Sequence, residues 1–234
     1  MKELLLISLF AGIAIPLGAI LTFAEKLLPQ KINKELNHAV VAFGGGALLS
    51  AVALVLVPEG IEKISLISVA ISFCGGGILF MLLDYLLSKA KGSMANLVAM
   101  LTDFIPEAIA LGASMANGIG SGILLASIMF LQNLPEGFNA FKELTPPQKK
   151  NKPQILLLFF LLTSVGPLMA FIGKEFLSNH EQILANLKIF ASGGIIYLVF
   201  QDIAPQANLK RHWAPPLGAV LGFGLGIIGK MLVH

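Results

Sequence analysis

Eight apolar runs, each long enough for a helix of about 20 residues, dominate this sequence: 4–24, 38–58, 64–87, 94–116, 121–141, 154–174, 186–204 and 213–232. A run of that length crosses the hydrocarbon core of a bilayer as an α-helix, the one single-segment structure that satisfies all its own backbone hydrogen bonds there. Punctuation falls between the runs at Pro29, Pro58-Glu59-Gly60, Asn117-Gly118, Pro146-Pro147 and Pro215-Pro216. Of the 234 residues, 56% are hydrophobic and 12% charged, with a mean hydropathy of +0.84. A soluble domain carries about twice that charge. The expectation is therefore an all-α membrane protein with eight transmembrane helices in a single domain, 1–234, because the longest polar connection, 142–152, is too short to fold alone. The first run follows Lys2 as a signal peptide would, but it is longer than a typical signal core and no small-residue cleavage site follows, so it is read as a retained span.

Charge sets an orientation. The connections after spans 1, 3, 5 and 7 hold eleven lysines and arginines: Lys26, Lys31, Lys34, Lys89, Lys91, Lys142, Lys149, Lys150, Lys152, Lys210 and Arg211. The opposite side holds five: Lys2, Lys63, Lys174, Lys188 and Lys230. The excess marks the cytoplasmic face, which puts both termini outside. The net charge of +3 is spread through loops and needs no nucleic acid to explain it. The single cysteine, Cys74, excludes a disulfide within the chain and any thiolate cluster.

Against this apolar background the stretch LTDFIPEAIALG, 101–112, carries Asp103 and Glu107 around Pro106. It is part of a repeated hexapeptide. Asp103-Phe-Ile-Pro106-Glu107-Ala108 aligns with Gln132-Asn-Leu-Pro135-Glu136-Gly137, and echoes appear at Asp202-Ile-Ala-Pro205-Gln206-Ala207 and Val55-Leu-Val-Pro58-Glu59-Gly60. Asp103 and Glu107 are four apart, as are Gln132 and Glu136, so each pair lies on one face of its helix. Spans 4 and 5 are joined by a short link and are expected to be antiparallel neighbours, which lets the four side chains converge. Each proline also leaves a carbonyl without its donor, that of Thr102 for Pro106 and that of Leu131 for Pro135.

A charged side chain at mid-bilayer costs roughly 2.5–3.5 kcal/mol on insertion scales. No lysine or arginine occupies a span centre, so the carboxylates either hold protons or bind a cation from solution. The bland alternative is protonated polar glue between helices, worth about 0.6 kcal/mol per contact. Glycine, 24 residues in all, clusters inside spans at 44–46, 75–77, 193–194 and 222–226. It reads as close helix packing, with a sliding surface between moving bundles as the sharper alternative.

These residues resemble the Zrt-/Irt-like (ZIP) family of divalent metal transporters. The likeness lies in the Pro-Glu pairs of spans 4 and 5, in a glycine-rich second span ending in Pro-Glu (AFGGGALLSAVALVLVPEG), and in the eight-span layout. The resemblance implies a pseudo-symmetric 3+2+3 bundle with a metal site at mid-membrane between helices 4 and 5. Its ligands would be Asp103, Glu107, Gln132 and Glu136. Family members commonly hold a second ion through positions that here are Phe104, Asn133 and Gly166. A phenyl ring cannot ligate, an asparagine is a weak neutral ligand and a glycine offers no side chain, so one ion rather than two is expected.

The oxygen-rich set is harder than one containing histidine and widens the expected substrates to zinc, iron or manganese. The histidine-rich loop that the family carries after span 3 is missing, since SKAKGS holds none. The function expected is transport of divalent cations into the cytoplasm across a plasma (bacterial inner) membrane. The metal is substrate, no prosthetic group is expected, and the chain is not read as an enzyme. Partners are metal ions and the lipid bilayer, with a homodimer left open. The alternative is a non-transporting relative acting as a metal sensor or assembly partner. An intramembrane hydrolase is disfavoured, because neither His-Glu-x-x-His nor Gly-x-Ser-x-Gly occurs.

Other polar residues divide between two readings. Ser50, Asn133 and Asp202 are candidate pathway residues; alternatively Ser50 bonds the helix backbone and Asp202 sits solvated at a span end. Asp84 reads as a solvated cap, Glu59 and Glu62 as an acidic outer rim or ordinary surface charge, and Met94, Met100, Met115 and Met129 as apolar packing.

Overall fold

The computed structural model describes residues 1–24, 30–89, 95–116, 119–146, 151–210 and 212–233; within these, the side chains at 24, 30–33, 87–89, 95–96, 99, 103, 116, 121 and 233 lie outside the description. Met94, Pro147 and most of the basic 24–37 connection fall outside it as well, as does the side chain of Asp103. The described residues are helical almost throughout and contain no strand. Helix α1 is Lys2–Ala24, α2 Gln30–Ala51, α3 Val57–Ile61, α4 Leu66–Lys89, α5 Ala95–Ala116 and α6 Ile119–Leu144. Helices α7 (Lys152–Leu162), α8 (Val165–Ile172), α9 (Glu181–Leu198), α10 (Ala204–Ala207) and α11 (Ala214–Val233) complete the chain.

Three pairs run on as continuous or nearly continuous rods. A π-helical turn at Val52–Leu56 joins α2 to α3, and another at Val199–Ile203 joins α9 to α10. In each, an amide reaches five residues back: Val57 N–H to the Val52 carbonyl, Ala204 N–H to that of Val199. A proline follows directly, Pro58 or Pro205, whose missing N–H already breaks the regular ladder at that point. Between α7 and α8 the chain tightens at Thr163 and Ser164, whose amides bond Phe160 and Leu161 only three residues back. Pro167, four residues past Thr163, supplies no donor to the Thr163 carbonyl.

Six of the resulting rods are long and apolar enough to cross a membrane: Lys2–Phe23, Lys34–Ile61, Leu66–Leu86, Lys152–Leu177, Glu181–Ala207 and Ala214–Leu232. Helices α5 and α6, at 22 and 26 residues, match them in length and carry the polar hexapeptides. They form the middle of the bundle. Phe104, Ala108, Leu111, Leu125 and Met129 are fully buried there, and so is Met100, as packing residues should be. The outer faces of α4, α7–α8 and α11 instead turn Ile67, Ile71, Leu82, Leu157, Leu161 and Ile228 outward, the arrangement a hydrocarbon surround stabilises.

Helix pairing falls into two halves. In one, α1 packs along α6, α8 packs on α5, and α1 also meets α7 and α8; in the other, α2 pairs with α11 and α4 with α9. Stacked Phe10 and Phe130 and tilted Phe23 and Phe141 show that α1 and α6 run parallel. The tightest approaches within each half are made at glycines. A Cβ at Gly137 would fall on the Ile15 carbonyl, one at Gly112 on the Ala170 carbonyl, one at Gly76 on the Phe190 carbonyl and one at Gly222 on the Phe43 carbonyl. These glycines let backbones touch, which is how helices gain packing energy where lipid weakens the apolar drive. Across the halves the glycines meet side chains instead: a Cβ at Gly44 would lie 2.8 Å from Pro135 Cγ, and one at Gly229 2.6 Å from Leu124 Cδ1. The close-packing reading of the glycines thus describes the helix pairs.

Candidate functional site

Helices α5 and α6 are antiparallel, with Met115 against Gly122 at one end and Glu107 against Gln132 near the middle. Glu107 is reached because it sits one turn past Asp103 on the face α5 turns to α6. Gln132 Nε2 donates to Glu107 Oε2, and Glu136, one turn further along α6, interacts electrostatically with Glu107. The structure therefore brings Glu107, Gln132 and Glu136 together. Asp103 lies on the same helix but its side chain is outside the described residues.

The decisive feature is what these side chains lack. Among the described residues, five buried side-chain polar atoms have no hydrogen-bond partner: Glu107 Oε1, Gln132 Oε1, Asn133 Oδ1, Glu136 Oε2 and Ser114 Oγ. Three of them, Glu107 Oε1, Gln132 Oε1 and Glu136 Oε2, are acceptor oxygens of the side chains that meet between α5 and α6. Leaving a buried acceptor unpaired costs about 1–3 kcal/mol, more for a charged one. Three such oxygens together form a donor set that a cation satisfies and that further hydrogen-bond acceptors cannot. Among the described residues no three His, Cys, Asp or Glu side chains come together. The set consists of two carboxylates and one amide, a hard oxygen environment.

A narrow cavity of about 60 Å³ opens onto this point from the seam between the halves. Gln132 and Glu136 line it, together with Asn139 and with Asp202 and Gln206 of the α9–α10 rod. Asp202, read from sequence as either a pathway residue or a solvated end, belongs to the cavity wall. Sequence reading did not assign Asn139 or Gln206 to a site. Their signals were present: Asn139 is three residues after Glu136 on the same helical face, and Gln206 occupies the acid position of the third hexapeptide. Asn139 Nδ2 donates to Gln206 Oε1 at 3.4 Å, a contact across the seam.

Ser50 is not brought to the site. Its Oγ donates to the Ala47 carbonyl at 2.6 Å, and the side chain packs where Gly226 of α11 leaves room. Asp84 is more than a solvated cap, because Tyr197 donates its hydroxyl to Asp84 Oδ2 at 2.9 Å and ties α4 to α9. The acidic rim is also not simply exposed: Glu59 is paired with Lys188 at 2.5 Å, and Lys188, assigned by sequence to the charge of an outer connection, is only 5% exposed within α9.

Around Phe104 the positions expected to have lost a second ion fit together sterically. The ring is fully buried, and a Cβ on Gly166 would lie 2.9 Å from Phe104 Cζ and 3.0 Å from the Ser8 carbonyl oxygen. The phenyl group fills the volume that the glycine leaves. Asn133 Nδ2 donates to the Ala11 carbonyl at 3.1 Å, which holds this amide between α6 and α1. Neither the protein-family models nor the curated proteins compared with the chain yield a match. The functional reading rests on the site.

Proposed function

We propose that this protein carries divalent metal cations across a membrane into the cytoplasm through a single site formed by Glu107, Gln132 and Glu136, with Asp103 as the fourth ligand expected from sequence. The observation that carries the reading is the group of unpartnered buried oxygens on Glu107, Gln132 and Glu136, the last two of which line the cavity. Two carboxylates bring the charge to hold a divalent ion, and the amide oxygen of Gln132 adds a neutral ligand. Protons compete for the same carboxylates, so the ion binds to the ionised form and leaves most readily where the acids regain protons.

The pairing of helices supports the ZIP-like, 3+2+3 arrangement. Number the rods one to eight in chain order. The contacts of rod one with five, two with eight and two with five become those of six with four, seven with three and seven with four when one and six, two and seven, three and eight, and four and five are exchanged. Of three π turns among the described residues, the two followed by proline and an acid or amide occupy rods two and seven, which the same exchange relates; the third, Gly173–Leu177, ends rod six. Broken helices in corresponding positions of two repeats are a feature of transporter binding sites. On this reading all eight rods span the membrane, both termini lie outside, and the cavity past Asp202 is the cytoplasmic exit. Alternating access follows from movement of the α1, α5, α6, α7–α8 half along the seam.

The test is metal flux into proteoliposomes, with zinc, manganese, iron and cadmium offered in turn. Glu107→Gln and Glu136→Gln should each reduce flux to near background while the protein remains folded. Wild-type rates in both variants remove this site from consideration. Binding without flux in the unmodified protein favours the sensor reading.

A further inference from the structure

At the opposite end of the bundle from Asp202, beside the α3–α4 and α8–α9 connections, lies a second cavity of about 250 Å³. Its walls carry Glu59, Glu62, Lys63, Glu181, Lys188 and Ser114. Lys63 and Glu181 form an exposed pair at 3.0 Å. Lys188 and Glu59 form a second pair, with side chains only 6% and 27% exposed. Lys188 lies seven residues into α9, hence roughly 10 Å below its first residue.

Ser114 is the independent observation. It is 3% exposed, and its Oγ has no partner. Every other buried serine described here returns its hydroxyl to its own helix: Ser8 to Leu4, Ser50 to Ala47 and Ser192 to Lys188. Ser114 does not, although helical carbonyls are equally near it. It also stands seven residues from Glu107 along α5, two turns away on the same face and roughly 10 Å distant. It therefore marks the point where this cavity comes closest to the candidate site from the far side.

We propose that Glu59 and Ser114 form an outer station for a divalent cation, and that the Lys188 ammonium is a built-in competitor that the ion must displace. The ammonium is a compact charge on a flexible stem and neutralises Glu59 when no ion is present. A monovalent ion brings Glu59 no more charge than Lys188 already does. A divalent ion doubles it. The station thus discriminates by valence before the deeper site is reached. Its role as a mouth rests on the transport reading; its existence as a binding site does not.

The experiment is a manganese(II) titration followed by electron paramagnetic resonance. It uses full-length protein carrying Glu107→Gln and Glu136→Gln, so that the deep carboxylates are absent. Adding Lys188→Met should raise manganese affinity about tenfold or more. Adding Glu59→Gln on top should remove the gain, and Ser114→Ala should reduce it. If Lys188→Met fails to fold with Glu59 unpaired, Lys188→Gln, which keeps a donor for that carboxylate, takes its place with the same expected gain. No gain in the folded lysine variant, or a gain that survives Glu59→Gln, overturns the station. If the unmodified protein conducts no metal, the transport reading falls and this titration still decides the station.

Discussion

Phe104 and Gly166 show how one residue's size is set by another far along the chain. Gly166→Ala pushes a methyl against both the phenyl ring and the Ser8 carbonyl, so it should destabilise by about 1–3 kcal/mol, the usual range for overpacking. Phe104→Ala leaves a cavity and should cost about 3–5 kcal/mol. Because the two side chains share one volume, the double variant should be less destabilised than the sum of the singles, as measured by thermal unfolding in detergent. Additive effects would show that the ring does not occupy the glycine's space. The same filled volume predicts one divalent ion between α5 and α6 by calorimetric titration of protein carrying Glu59→Gln, which removes the proposed outer station, and a folded variant that takes up two neighbouring ions contradicts it. At the site, Glu107 and Gln132 bond each other while each keeps one oxygen unpartnered. Gln132→Leu removes an oxygen ligand and the donor to Glu107 together, and should weaken metal binding more than Asn139→Leu, which touches only the cavity wall.

Among the elements, the glycines separate into two mechanical classes. Gly76, Gly112 and Gly222 face backbone carbonyls of a partner helix, where nothing can move aside. Gly44 faces the ring of Pro135 across the seam. Substituting alanine at Gly112 or Gly76 should therefore impair folding, read as loss of monodisperse protein. Gly44→Ala should leave the protein folded and change the rate of transport, because it alters the fit of the surfaces that the proposed motion slides past each other. Equal stability losses at all three positions would remove the distinction. The π turns belong to this scale too. They place Glu59 and Asp202 at opposite ends of the bundle, each on a rod whose hydrogen-bond ladder is already widened next to a proline.

For the whole molecule, the two cavities lie toward opposite ends of the bundle, both walled by the α9–α10 rod: one reaches Gln132 and Glu136, the other stops at Ser114. The structure is thus open toward Asp202 and closed between Ser114 and Glu107, where Ala110 and Leu111 are fully buried. If the protein transports metal as proposed, lowering the pH at the outer face should weaken uptake, since the ion would bind carboxylates that must first be ionised. The limit is about tenfold per pH unit for each proton displaced. Uptake that strengthens as the outside is acidified would instead require protons to drive transport in another way. A flux assay with the two sides buffered independently separates these outcomes.

How much of this was legible beforehand depended on the range of the interaction. Apolar runs of membrane-crossing length, helix-breaking prolines and carboxylates four residues apart are local patterns, set by 3.6-residue periodicity and the cost of charge in hydrocarbon, and they were readable in order along the chain. They led to α5, α6, Glu107, Gln132 and Glu136 without reference to any other helix. Lys188 is the counterexample: as one basic residue near a span end it looked like loop charge, and only the packing of α9 against the α3 segment made it a buried partner for Glu59. Ser50, turned onto its own backbone, and Asn139 and Gln206, joined across the seam, were likewise decided by which helices meet. Local composition determines which segments are helical and where burial of charge must be compensated. Tertiary contact determines which group compensates it, because the partner comes from another helix: Lys188 reaches Glu59 from 129 residues away.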